Sequence, residues 1–312
     1  MTGFVHQSIL LEEIVDLLEP KPGGLYIDAT LGGGGHAAGI LARGGPDARL
    51  IGFDRDLDAL AAAKGRLAEF GDRITFVHGT FGGLEDRLRE LGSERVDGLV
   101  ADLGVSSPQL DRAERGFSFA SAGPLDMRMD ASQGETALQL IERLDAEALA
   151  DILYRFGEER RSRAIARSIL RARDEGALET TDDLRRAVVR VLGPKRGKID
   201  PATRTFQALR IAVNAELEEL EALLAALPSI LREGGIAAIL SFHSLEDRLV
   251  KHAFRDAPLL EPLFRKPRLA GEAERAENPR ARSAKLRAAR RIPEAPELER
   301  ALSDAAAWRD AP

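Results

Sequence analysis

The stretch Asp28-Ala29-Thr30-Leu31-Gly32-Gly33-Gly34-Gly35-His36 constrains this chain more than any other. It follows a short apolar run, Leu25-Tyr26-Ile27, that reads as a buried strand. Four consecutive glycines between a strand and a helix remove every Cβ from the turn. The backbone can then approach a ligand closely, while the helix start offers free N–H groups. An acid recurs at Asp54, at the tip of the next apolar run, Leu50-Ile51-Gly52-Phe53. A carboxylate there is placed to accept the hydroxyl hydrogen bonds of a ribose. The pattern predicts an α/β sheet and a nucleoside-containing cofactor.

The rest of the first hundred residues continues that rhythm. Asp56 to Phe70 shows apolar residues at helical spacing, with Asp56 placed to cap the helix. Ile74-Thr75-Phe76-Val77 predicts a third strand, Leu84 to Leu91 a helix, and Val96 to Ala101 a fourth strand closed by Asp102. Strands separated by helices imply parallel βαβ units and a doubly wound sheet. The rhythm stops after Asp102. Residues 109–204 contain a Gly/Pro-marked loop and Arg- and Leu-rich helices, and are expected to form an inserted helical domain. Phe206 to Leu227 predicts one long amphipathic helix, which offers a face for a second copy of the chain. It leads through the Gly234-Gly235 turn into a fifth strand, Ile236 to Ser241, and the sheet resumes. Leu263-Phe264-Arg265 and Ala284 to Ala288 are expected as a final strand pair. The expected division is therefore 1–108, 109–204 and 205–312.

Composition narrows the chemistry. The 312 residues include no Cys, which excludes disulfides, thiolate nucleophiles and thiolate metal sites. No apolar run approaches the ~18 residues of a membrane span. The first residues lack the pattern of a secretion signal, so a cytoplasmic protein with no membrane association is expected. No His/carboxylate spacing resembles a metal site such as H-E-x-x-H, and no metal is expected. The formal charge of -6 hides two basic stretches. Arg265 to Arg291 carries ten Lys/Arg against three acids, and Tyr154 to Arg173 seven Arg against two. Attraction to a polyanion depends on local field. Arg160, Arg161, Arg163, Arg167, Arg280 and Arg282 are the candidates for phosphate contacts, although an Arg-rich helix is by itself more often a solvated face.

Two cofactor classes fit the glycine turn. Gly32-x-Gly34-x-x-Ala37 matches the relaxed dinucleotide pattern, which would make the chain an NAD-dependent oxidoreductase. S-adenosylmethionine uses the same turn but carries a cationic sulfonium and no pyrophosphate. The three strand-end acids Asp28, Asp54 and Asp102 favour the cation.

Longer blocks carry a resemblance. Asp102-Leu103-Gly104-Val105-Ser106-Ser107-Pro108-Gln109-Leu110, Glu114-Arg115-Gly116-Phe117-Ser118-Phe119 and Gly123-Pro124-Leu125-Asp126-Met127-Arg128-Met129-Asp130 resemble the bacterial 16S ribosomal RNA cytosine-N4 methyltransferase family. So do Tyr26-Ile27-Asp28, Gly34-Gly35-His36, Pro201-Ala202-Thr203-Arg204-Thr205-Phe206-Gln207, Ser241-Phe242-His243-Ser244-Leu245-Glu246-Asp247-Arg248 and Glu277-Asn278-Pro279-Arg280-Ala281-Arg282-Ser283. The matches run from about His6 to Arg287 in the family's order. The resemblance implies a class I S-adenosylmethionine-dependent methyltransferase interrupted by a helical substrate-recognition domain. It implies methylation of the exocyclic N4 of a decoding-centre cytosine in 16S rRNA, within the small ribosomal subunit. Cofactor contacts carry over onto Gly34, Gly35, His36, Asp54, Phe81, Asp102 and Gln109. Phe81 is an aromatic that can lie against the adenine or pack in the core. The family varies in the first part of the glycine loop, so no role carries over to Gly32 and Gly33. Asp102, or a carbonyl of Leu103-Gly104-Val105, is the candidate acceptor for a hydrogen bond from N4. His243 and Ser241 follow the fifth strand, where either an RNA-facing or a structural role fits. A non-catalytic RNA-binding assembly factor on the same scaffold is the remaining alternative.

Overall fold

A computed structural model describes residues 8–93, 95–194, 197 and 200–294. Residues 1–7 (with His6) and 295–312, which open and close the expected division, lie outside the described residues. The elements in chain order are α1 (Leu11–Leu18), β1 (Leu25–Asp28), α2 (Gly35–Arg43), β2 (Arg49–Asp54), α3 (Leu57–Arg66), β3 (Ile74–His78), α4 (Leu84–Glu90) and β4 (Val96–Asp102). There follow α5 (Ser107–Asp111), α6 (Ala137–Arg143), α7 (Ala146–Gly157), α8 (Ser162–Asp174), α9 (Thr181–Leu192), α10 (Thr203–Asn214) and α11 (Glu216–Ile230). The last are β5 (Leu231–Ser241), α12 (Ser244–Asp256), β6 (Leu260–Pro262), α13 (Glu272–Glu277) and β7 (Lys285–Arg291).

The chain divides into two units. The first comprises residues up to Asp54, Ala59–Leu103 and Leu220 onward. It holds one seven-stranded sheet in the order β3-β2-β1-β4-β5-β7-β6. β1 to β5 are parallel, and β7 runs antiparallel to both β5 and β6. Period-two alternation sends neighbouring residues to opposite faces. Tyr26, Leu50, Val100 and Ala238 pack with apolar residues of α1, α2 and α3. Ile27, Ile51, Leu99 and Ala237 pack with residues of α4, α11 and α12. With helices on both faces, the strands read as near-continuous apolar runs. This is the doubly wound α/β fold expected from the sequence.

Two local expectations are corrected in this unit. β5 begins at Leu231, not Ile236. Gly234 takes a left-handed φ of 76° inside it, and the β4 register shifts between Val96 and Gly98, so the glycine pair makes an irregularity within the strand. The final strand pair is real, but its first member is Leu260–Pro262, three residues earlier than expected.

The second unit comprises Arg55–Asp58 and Gly104–Glu219. It is helical, with α6 to α10 around a core that includes Leu140, Leu153, Ile165, Ile169, Leu184 and Leu209. Phe119 and Phe206 meet edge to face at 4.9 Å. The single helix expected from Phe206 to Leu227 is two. α10 ends at Asn214, and Ala215 takes a left-handed φ of 48° while its N–H caps the Ile211 carbonyl. Asn214 explains the break. Its Nδ2 donates to the Met127 carbonyl and its Oδ1 accepts from the Met129 amide, both at 2.7 Å. The Arg55 guanidinium donates to its carbonyl at 2.7 Å. Those long-range bonds outweigh the cost of one left-handed alanine, about 1–2 kcal/mol. Amphipathic spacing continues across the break and so conceals it.

Candidate active site

Three adjacent parallel strands end in carboxylates. β2, β1 and β4 lie side by side and finish at Asp54, Asp28 and Asp102. From β1 the chain builds the sheet through β2 to β3 on one side and through β4 to β5 on the other. Open α/β sheets take ligands at that switch point, beyond the strands' carboxyl ends.

The glycine turn is fastened to both neighbouring strands. The Ala29 amide donates to the Val100 carbonyl at 2.8 Å, and the Leu31 amide to the Phe53 carbonyl at 2.7 Å. The Gly32 amide donates to Asp54 Oδ2 at 2.7 Å, and the Asp102 amide to Thr30 Oγ1 at 2.6 Å. Gly34 has a φ of 76°, and a Cβ there would sit 2.8 Å from Leu67 Cδ1. A Cβ on Gly35 would sit 1.9 Å from Ser8 Oγ. The left-handed φ and Leu67 favour glycine at position 34, and a side chain at position 35 would require Ser8 to move.

The side chains around this turn differ in setting. Asp28 is 1% exposed. Its Oδ1 accepts from the Thr30 amide at 3.2 Å, and its Oδ2 is buried with no partner. Burial pushes this carboxyl up to about 7; Asp102 and Asp54 add to the shift, and His36 and the Thr30 amide oppose it. His36, at the start of α2, is buried, with Nε2 3.1 Å from the Ile9 carbonyl. The imidazole thereby braces the segment before α1 against α2. Phe81 stands between β3 and α4, half-buried against the sheet core.

Gln109 belongs to the second unit. It closes a capping box at α5: its Oε1 accepts from the Ser106 amide at 2.9 Å, and Ser106 Oγ accepts from its own amide. Its Nε2 donates to Asp56 Oδ2 at 2.8 Å. The same oxygen pairs with Arg115 at 2.8 Å. Asp56 does cap the start of α3, accepting from the Asp58 amide at 3.0 Å, but it is also the centre of this buried clasp. The structure thus brings Gly34, Gly35, His36, Asp54 and Asp102 together around Asp28, with Phe81 in the connection that follows β3, the strand beyond β2. Gln109 is placed with Asp56 in the other unit.

Sequence reasoning did not single out Thr30 or Arg115. Thr30 lies inside the quoted glycine block, but nothing in the sequence marks its hydroxyl as the acceptor that holds β4's last amide. His243 caps α12 in a reciprocal box with Glu246, whose Oε2 accepts from the Phe242 amide at 2.8 Å. Arg160, Arg161, Arg163 and Arg167 are exposed and make no ion pair among the described residues. Arg280 lies over the Phe242 ring at 5.4 Å. Arg282 is exposed, with its Nε donating to the Arg275 carbonyl at 3.3 Å.

A ligand with ribose hydroxyls and a positive charge fits these residues. The deciding observation is Asp28 Oδ2, a buried acceptor lacking a partner, which a cationic group would satisfy. A pyrophosphate would instead bring further negative charge to three strand-end carboxylates.

The chain matches the MraW methylase family over residues 3–292. It is 62% identical over 291 residues to the ribosomal RNA small subunit methyltransferase H of Sorangium cellulosum, covering 93% of this chain and 92% of that protein. It is 48% identical to the protein of the same name from a Geobacter species, covering 94% and 100%. Among solved structures, a SAM-dependent O-methyltransferase from Thermotoga maritima aligns with 95% of this chain and 70% of its own, at a TM-score of 0.44 and 11% identity. No helix among the described residues is long and apolar enough to cross a membrane.

Proposed function

The chain belongs to the MraW methylase family, and from that premise we propose that it methylates the exocyclic N4 of a decoding-centre cytosine in 16S rRNA. It is an S-adenosylmethionine-dependent rRNA methyltransferase on a class I fold. The observation that carries the reading is 62% identity, over 93% of the chain, to a named small-subunit rRNA methyltransferase.

The site residues are assigned on chemistry. Gly34 and Gly35 let the backbone reach the cofactor, and Asp54 accepts from its ribose. Asp28 faces its cationic portion, and Phe81 lies against its adenine. His36 completes the start of α2 as a cofactor contact, and Gln109 carries over as a contact on the family resemblance alone. S-adenosylmethionine supplies an electrophilic methyl group on a sulfonium. The protein's task is orientation, because the N4 lone pair is delocalised into the ring and reacts poorly. Holding N4 in line with the methyl–sulfur bond can supply several kcal/mol. Asp102, or a carbonyl of the Leu103-Gly104-Val105 segment, accepts a hydrogen bond from N4 and orients its lone pair. The Asp102 amide is fixed by Thr30, which suits that role. No covalent adduct is needed, since N4 attacks directly.

The inserted helical segment, expected over residues 109–204, recognises the RNA, with Arg160, Arg161, Arg163 and Arg167 on phosphates. Arg280 and Arg282 do the same from the first unit. The base reaches the pocket flipped or single-stranded. The assembled small subunit as substrate, a cytoplasmic location and a homodimer complete the reading. Light scattering checks the dimer independently, since a monomer mass removes it and leaves the reaction untouched. Labelled methyl transfer to 16S rRNA lacking the modification, followed by nucleoside analysis, tests the reaction.

A further inference from the structure

Asp28 sits in a setting that the assigned chemistry leaves unexplained in the free protein. A carboxylate removed from water needs hydrogen bonds and a paired cation. Asp28 has one weak bond, from the Thr30 amide at 3.2 Å, and its second oxygen has none. No Lys or Arg forms an ion pair with it among the described residues. The charged and titratable groups that bear on it are His36 from α2, Asp102 from β4 and Asp54 from β2. Two of these three are acids. A buried carboxyl in such company takes a proton in preference to standing ionised.

We propose that Asp28 is protonated in the free protein and gives up that proton when the cationic cofactor docks, so that cofactor capture is coupled to proton release. The inference rests on the reading of this site as an S-adenosylmethionine pocket and adds a proton to its binding step. The incoming positive charge supplies what Oδ2 lacks, and it stabilises the ionised carboxylate that burial disfavours. By linkage, a proton on Asp28 competes with the cofactor. Since the carboxyl is pushed up to about 7, the competition falls across the neutral range. Cofactor affinity should then be roughly tenfold weaker at pH 6 than at pH 8.

The test is calorimetric titration of the full-length protein with S-adenosylmethionine, in paired buffers that differ in ionisation enthalpy. The inference expects close to one proton released per cofactor at pH 6 and few at pH 8. In Asp28→Asn the release at pH 6 disappears and the roughly tenfold rise in affinity from pH 6 to pH 8 is lost. The cofactor's own amino group exchanges protons near pH 8, and the comparison with Asp28→Asn subtracts it. Binding by the wild type without proton release overturns the inference, as does equal release from both proteins, which would assign the proton to His36 or another group. Should Asp28→Asn fail to fold, infrared spectroscopy of the wild type decides. A protonated-carboxyl band present at pH 6 and lost on adding the cofactor supports the inference, and a spectrum without that loss overturns it. Absence of any cofactor binding by the wild type is a different failure, and it removes the pocket reading itself.

Discussion

Asp54 Oδ2 accepts the Gly32 amide at 2.7 Å, so the acid at the tip of β2 shapes the glycine turn in addition to the ribose contact proposed for it. Removing the side chain therefore has two effects that substitutions can separate. Asp54→Asn keeps an oxygen for Gly32 but loses an anionic acceptor for the hydroxyls. Asp54→Ala loses both. Equilibrium binding and thermal melts should show at least tenfold weaker cofactor binding in both variants. Only Asp54→Ala should lose stability as well, by about 1 kcal/mol. Equal melting of the two variants would mean that the Gly32 bond contributes nothing.

The glycine run makes a graded prediction. Gly34→Ala forces a Cβ against Leu67 at a left-handed φ of 76°, and Gly35→Ala drives one into Ser8. Each should cost about 1–3 kcal/mol and weaken cofactor binding. Gly33 has nothing within 4 Å of the place a Cβ would take. Gly33→Ala should melt within about 0.5 kcal/mol of the wild type. Thermal denaturation of the three variants side by side checks the order.

Asp28 also affects stability, with a definite sign. Its carboxyl is pushed up to about 7 by burial, above the ~3.9 of an unfolded Asp. Between those values the folded state binds a proton that the unfolded state does not, so this group's contribution to stability falls as pH rises from about 4 to 7. Above that window the loss is complete, at an upper bound on the order of 4 kcal/mol. Asp28→Asn removes the titration. Its melting temperature should exceed that of the wild type at pH 8, with the difference vanishing near pH 4. A variant less stable than the wild type at pH 8 would contradict this.

Arg163, Arg167 and Arg171 stand at i, i+4 and i+8 on α8, all exposed and without ion pairs among the described residues. Like charges at that spacing cost a helix a few tenths of a kcal/mol per pair, a cost that a phosphate backbone removes. Changing all three to Gln should leave cofactor affinity unchanged, weaken RNA binding and flatten its dependence on salt. An unaltered salt slope would exclude this face from the RNA contact.

Much of this was legible in the sequence because the relevant signals are local. The glycine run, the strand-end acids and the period-two burial of the strands each arise within a few residues, so the sheet and the Asp28–Asp54–Asp102 cluster could be read directly. What escaped depends on distant partners. Asn214 breaks a helix through bonds to Met127 and Met129, more than eighty residues away in the chain. Gln109 reads as a ligand residue, yet both ends of its amide are held by Ser106 and Asp56. Thr30 acts through the amide of Asp102, a pairing that only sheet closure creates. The family blocks supplied the reaction, which no local pattern specifies.

The central claim is the identity of the transferred group and its acceptor. Small subunits lacking the modification, incubated with this protein and methyl-labelled S-adenosylmethionine, should yield label only in N4-methylcytidine, at one decoding-centre position of 16S rRNA. Label in any other nucleoside, or tight cofactor binding with no transfer to naked 16S rRNA or to the subunit, would contradict the account.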